Sequence, residues 1–141
     1  MGLPAGKESE LTGNDFEEPS RLEMGRAGLQ AFFAITGEWS LSGEQQRLLL
    51  GNPGRSRFFQ MKGGKAASLC DDELDRLAYI GGIYATLNIL YSPENCLRWL
   101  TNPGSGEMLW GRGSPLDYLL SDGIAAMADI YRYLNGLRGG A

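Results

Sequence analysis

Side chains able to do chemistry are few in this chain and leave most reaction types without support. There is no histidine, and the two cysteines, Cys70 and Cys96, lie far apart. Without histidine there is no imidazole base, no Ser-His-Asp arrangement and no Cys/His zinc site. Seventeen Asp and Glu residues are present, but no spaced pair stands out as a general acid and base. The glycine-rich stretch 104–113 lacks the Gly-Lys-Ser/Thr ending of a phosphate-cradling loop. The expectation is a protein that is not an enzyme, with no catalytic residue, no cofactor and no metal ligand. Both cysteines read as small apolar side chains, buried or half-buried, in a reducing compartment.

What remains is cationic and aromatic chemistry suited to binding. Arg55, Arg57, Lys62 and Lys65 occupy a stretch with no acidic residue between Gly51 and Cys70. Such side chains can pair with phosphates, while Ser56 and Gln60 can reach base edges. Arg55, Ser56, Arg57, Gln60 and Lys62 are therefore the DNA-contact candidates; the alternative is a solvated face on a helix pair that merely packs. A second group lies near the C-terminus: Arg112, Arg132, Tyr133, Arg138 and Gly139-Gly140. Arginine pairs bidentately with carboxylates, and arginine and tyrosine anchor interfaces. The alternative there is ordinary surface arginines and a frayed end.

These groups need a scaffold. At 141 residues and 43% hydrophobic content, the chain can build one proper core. No apolar run approaches the roughly 18 residues of a membrane span. Polar and acidic residues stand where a signal peptide needs an apolar centre, so a cytoplasmic location is expected. The net charge of −4 is concentrated at the start, where Glu8, Glu10, Asp15, Glu17 and Glu18 face Lys7 alone. Residues 1–19 hold too little apolar surface to offset chain entropy and read as a disordered acidic tail.

Beyond the tail the pattern is helical. Ser20 with Glu23, and Ser42 with Gln45, have the spacing of capping boxes. The first opens a helix to about Ile35, stopped at Gly37, with Trp39 in the core. The second opens a helix over 43–50, ended by Gly51. After Asn52-Pro53-Gly54, a short helix runs to about Met61 on Phe58, Phe59 and Met61. Two short helices across a tight turn have the layout of a helix-turn-helix. The longest helix is expected from Leu69 to Tyr91, capped by Ser68 and Asp71, with an apolar stripe through Leu74, Leu77, Ile80, Tyr84 and Leu87. Gly81-Gly82 in its middle costs roughly 1 kcal/mol per glycine, which predicts close approach of another helix. Ser92-Pro93 and Ser114-Pro115 each start a further helix. Asp122 is placed to cap the last, from Gly123 to about Leu137, with Ile124, Met127, Ile130, Tyr131 and Leu134 inward. The fold class is all-α: a compact helical bundle divided as tail 1–19, helix-turn-helix region 20–65 and C-terminal helical region 66–141.

Trp99-Leu100-Thr101-Asn102-Pro103, followed by Gly111-Arg112-Gly113-Ser114-Pro115-Leu116-Asp117-Tyr118-Leu119-Leu120, resembles the toxin-binding domain of the Xre/MbcA/ParS antitoxins. That family's pattern is Trp-Leu-x-x-Pro, then Gly-x-Ser/Thr-Pro-Leu-Asp-x-Leu. Tyr133-Leu134 and Arg138-Gly139-Gly140 are similar to its MbcA-like branch. Trp39-Ser40-Leu41-Ser42 and Leu49-Leu50-Gly51 are similar to that branch's Xre-like helix-turn-helix. The resemblance covers about Leu29 to Gly140. It implies an antitoxin of a type II toxin–antitoxin system, whose partner is a cognate RES-domain toxin that consumes NAD. It further implies that the C-terminal region, with Arg112, Arg132, Tyr133, Arg138, Gly139 and Gly140, covers the toxin's active-site entrance. Operator DNA would be a second partner, reached through the helix-turn-helix. The assembly would be a homodimer or a hetero-oligomer with the toxin, with no membrane involved. A stand-alone helix-turn-helix transcriptional regulator is the alternative reading.

Overall fold

The computed structural model describes residues 20–66, 68–106, 111 and 113–139. The tail 1–19, Arg112 and Gly140 lie outside the described residues. Those described form seven helices and no strand: α1 Arg21–Glu38, α2 Gly43–Leu49, α3 Arg55–Lys62, α4 Asp71–Leu90, α5 Pro93–Thr101, α6 Pro115–Asp122 and α7 Ile124–Gly139. The all-α expectation holds. No helix among them is long and apolar enough to cross a membrane.

Local chemistry sets where the helices begin. In α1 the Glu23 N–H donates to Ser20 Oγ and the Ser20 N–H donates to Glu23 Oε1. The same exchange joins Ser42 to Gln45 before α2 and Ser114 to Asp117 before α6. Each box satisfies two backbone donors that a helix start leaves without partners. Pro93 and Pro115 stand at first positions, where the missing N–H costs nothing.

α4 is the central strut. Its most extensive contact is with α7 and its next with α1. Leu77, Ile80, Ile83 and Leu87 of α4 are buried with Ala126, Met127, Ile130 and Leu134 of α7 and Leu29, Phe32 and Ile35 of α1. Burying each of the larger aliphatic side chains contributes about 1.5–3 kcal/mol. Gly123 lies beside Arg76, and Tyr131 lies beside Gly82, so α4 and α7 run parallel. A Cβ on Gly82 would stand 2.7 Å from Tyr131 Cε1, the close approach that the mid-helix glycines implied. Gly81 has no such neighbour.

Several boundaries differ from the sequence reading, for tertiary reasons. α1 continues through Gly37 to Glu38, and the left-handed residue that turns the chain is Ser40, at φ 61°. The cap of α4 is Cys70, whose N–H donates to Glu73 Oε1, and not Ser68 with Asp71. Cys70 is exposed, so only Cys96 behaves as a buried apolar thiol. Phe59 is 72% exposed and adds nothing to the core, because Phe58 and Met61 occupy the inward face of α3. Asp122 ends α6 instead of capping α7; its Oδ1 accepts from Ser121 Oγ, and Gly123 at φ 61° makes the corner. Arg138 and Gly139 belong to α7, which is longer than the spacing suggested.

Candidate partner-binding face

Arg132, Tyr133, Arg138 and Gly139 sit on α7, and neighbours from α5 and α6 hold Tyr133 and, through Asp129, Arg132. The Tyr133 ring stacks on Trp99 of α5 at 6.2 Å between centroids and 19° between planes. The Trp-Leu-x-x-Pro segment and the Tyr-Leu pair, distant in sequence, therefore meet in one surface. Arg132 is exposed and its Nη1 donates to Asp129 Oδ1 at 3.1 Å. The other Asp129 oxygen accepts from Tyr118 Oη at 2.6 Å. Asp129 thus ties α6 to α7 and steers Arg132 at once. The hydrogen bond to Asp129, with added burial, pushes the Tyr118 phenol up to about 12. The same bond, helped by Arg132, lowers the Asp129 carboxyl.

Arg138 and Gly139 are exposed at the end of α7. The parallel register carries Ile89 of α4, two turns beyond Gly82, to the same end as Leu137 and Arg138. Ile89 is 58% and Leu137 47% exposed. Large apolar side chains left in water beside an arginine suit a partner surface better than a solvated end. Sequence reasoning missed Asp129, although its spacing of three from Arg132 is a helical-neighbour signal. It also missed Ile89, which an inward stripe hides until the end of α7 is known.

The five DNA candidates all lie on α3, and they do not present a common basic face. Arg57 makes two hydrogen bonds to Glu73, Nη2 to Oε1 at 2.7 Å and Nε to Oε2 at 3.1 Å. Burial alone would raise the Glu73 carboxyl; the bonds from Arg57 and from the Cys70 N–H outweigh it and hold it below the usual range. The same pairing raises Arg57. Arg55 Nη1 meets Glu44 Oε2 at 3.1 Å, and Arg47 holds the other oxygen. Ser56 and Gln60 are exposed, and Lys62 lies over the Phe33 ring at 5.9 Å. The stretch is free of acid in sequence, yet carboxylates from α2 and α4 reach two of its four cations. Among the described residues no group of three or more acidic or thiol side chains is placed to hold a metal ion.

By architecture the chain is a small all-helical protein with a polar and aromatic face at one end. It is 36% identical over 115 residues to "Uncharacterized protein y4oB" of Sinorhizobium fredii, a match spanning 81% of this chain and 86% of that protein. The chain belongs to the family of that protein. No family model matches it. No solved structure matches it either.

Proposed function

We propose that this chain is the antitoxin of a type II toxin–antitoxin pair, cytoplasmic, and that it neutralises a RES-domain, NAD-consuming toxin by lying across its active site. The observation that carries this reading is the Trp99–Tyr133 stack. It joins the two motif segments that resemble the Xre/MbcA/ParS pattern, one on α5 and one on α7. On the same helix as Tyr133, Arg132 and Arg138 offer charge and Leu137, 47% exposed, offers an apolar anchor. Neutralisation by occlusion needs only such a surface. Arginine on this face pairs best with carboxylates on the toxin. The transcriptional-regulator reading is weaker, since Glu73 already holds Arg57 by two hydrogen bonds in a largely buried pair.

The test is reconstitution with the RES-domain protein encoded in the same genome. NAD consumption should stop when the chain is added in stoichiometric amount. It should resume when Arg132→Glu and Arg138→Glu are combined. A toxin that keeps its full turnover with the wild-type chain present would refute the reading.

A further inference from the structure

α1 and α3 leave a groove of about 370 Å³ between them. Leu29, Phe33 and Met61 give it apolar walls, and Arg26 and Lys62 stand at opposite sides. Both cations are exposed, and neither has an ion pair among the described residues. Arg57, by contrast, is held by Glu73 in a largely buried pair, and Arg55 meets Glu44 at the surface. An apolar trough with an unpaired cation on each side fits an acidic peptide that carries an aromatic side chain.

The chain contains such a peptide. Asp15-Phe16-Glu17-Glu18 precedes Pro19 and the Ser20 cap of α1, within the stretch that holds all of the net negative charge. We propose that the groove is the seat of the chain's own segment 1–19, with Phe16 in the trough and Asp15 and Glu17 against Arg26 and Lys62. Reach permits it. Along α1, Arg26 lies about 9 Å and Phe33 about 20 Å beyond Ser20. A chain running back in extended form covers about 3.3 Å per residue, so roughly three to six residues span that interval. Allowing for the reversal at Pro19, residues 11–17 come alongside the groove. The tether also favours it, since a segment joined directly to α1 has a high effective concentration at its own groove. Seated there, the segment covers Lys62 on α3, so the helix-turn-helix region keeps no unpaired cation on that helix among the described residues. This inference does not depend on the identity of any toxin.

Zero-length carbodiimide cross-linking of the full chain at high dilution tests it, with the linked peptides located by mass spectrometry. Links from Asp15 or Glu17 to Lys62 should form within single chains. They should fall off at about 1 M salt, where the screening length is about 3 Å. Phe16→Ala and Arg26→Gln should each lower the yield severalfold, and both replace residues outside the core. Digestion by a glutamate-specific protease gives a second measurement: cleavage after Glu17 and Glu18 should be faster in an Arg26→Gln, Lys62→Gln variant than in the wild type. Absence of any link to Lys62 would overturn the proposal. So would links found only in covalent dimers, which would place the segment on a second copy, or a cleavage rate indifferent to both substitutions.

Discussion

The arginines of α3 and those of α7 differ in what holds them. Arg55 and Arg57 are paired with Glu44 and Glu73, carboxylates brought in from other helices. Arg132 is paired only within its own helix, to Asp129 three residues earlier, and Arg138 has no ion pair among the described residues. The Arg57–Glu73 pair, 36% and 11% exposed, fixes α3 to α4 and is spent on the fold, whereas Arg55–Glu44, at 74% and 58%, is as open to solvent as Arg132–Asp129. A local pair on an exposed helix costs little to open, so its cation stays available to a partner. The lesson is that a run of basic residues is not by itself a binding surface. The tertiary neighbours decide which cations are pins and which are contacts.

Substitutions separate these roles, the largest effect belonging to the platform under α7. Gly82→Leu drives a side chain into Tyr131, and unfolding by denaturant should show a loss of about 2–3 kcal/mol. Arg132→Glu together with Arg138→Glu should leave the thermal midpoint nearly unchanged. It should weaken toxin binding, read by calorimetry, by about 2 kcal/mol or roughly 30-fold. Wild-type affinity in that variant would erase the distinction between the two arginine sets. Arg57→Ala should behave in the opposite way, with stability lost by about 1–2 kcal/mol after discounting for the solvent that reaches Arg57. Arg132→Ala should stay within about 0.5 kcal/mol of wild type.

The same contrast has a pH signature. Glu73 has a lowered folded-state value, so its contribution to stability is fully present above its ordinary value of 4.5. That contribution is lost as pH falls from there through the depressed folded value. Thermal midpoints measured across that acid window should fall less steeply in Arg57→Ala than in wild type. The smallest effect is spectroscopic. Absorbance titration should show one tyrosine, Tyr118, ionising near pH 12, and Asp129→Asn should return it toward 10. An unchanged titration would mean that Asp129 does not bind the phenol in solution.

Much of the scaffold is legible in the sequence because its signals are local. Ser20, Ser42 and Ser114 each find their partner three residues on, although Ser68, with Asp71 at the same spacing, does not cap α4. Ser114-Pro115-Leu116-Asp117, part of the family-like motif, is in this respect a reciprocally bonded helix start. Helix ends were less legible, since Gly37 can continue a helix where Ser40 makes the turn. Of the candidate face, the residue types at 132, 133 and 138 were readable, and the Trp99 stack and the Asp129 bridge to Tyr118 were not.

The sequence alone determined the helical class, most helix starts, the inward stripe of α4 and the absence of imidazole chemistry, because each follows from residue type and spacing within a few turns. Only the tertiary structure decided that Arg57 is already held by Glu73, that α4 and α7 run parallel through Gly82 and Tyr131, and that Ile89 and Leu137 are left exposed toward the same end. Those outcomes depend on contacts between residues tens of positions apart, and the packing of whole helices fixes such contacts where local preference cannot.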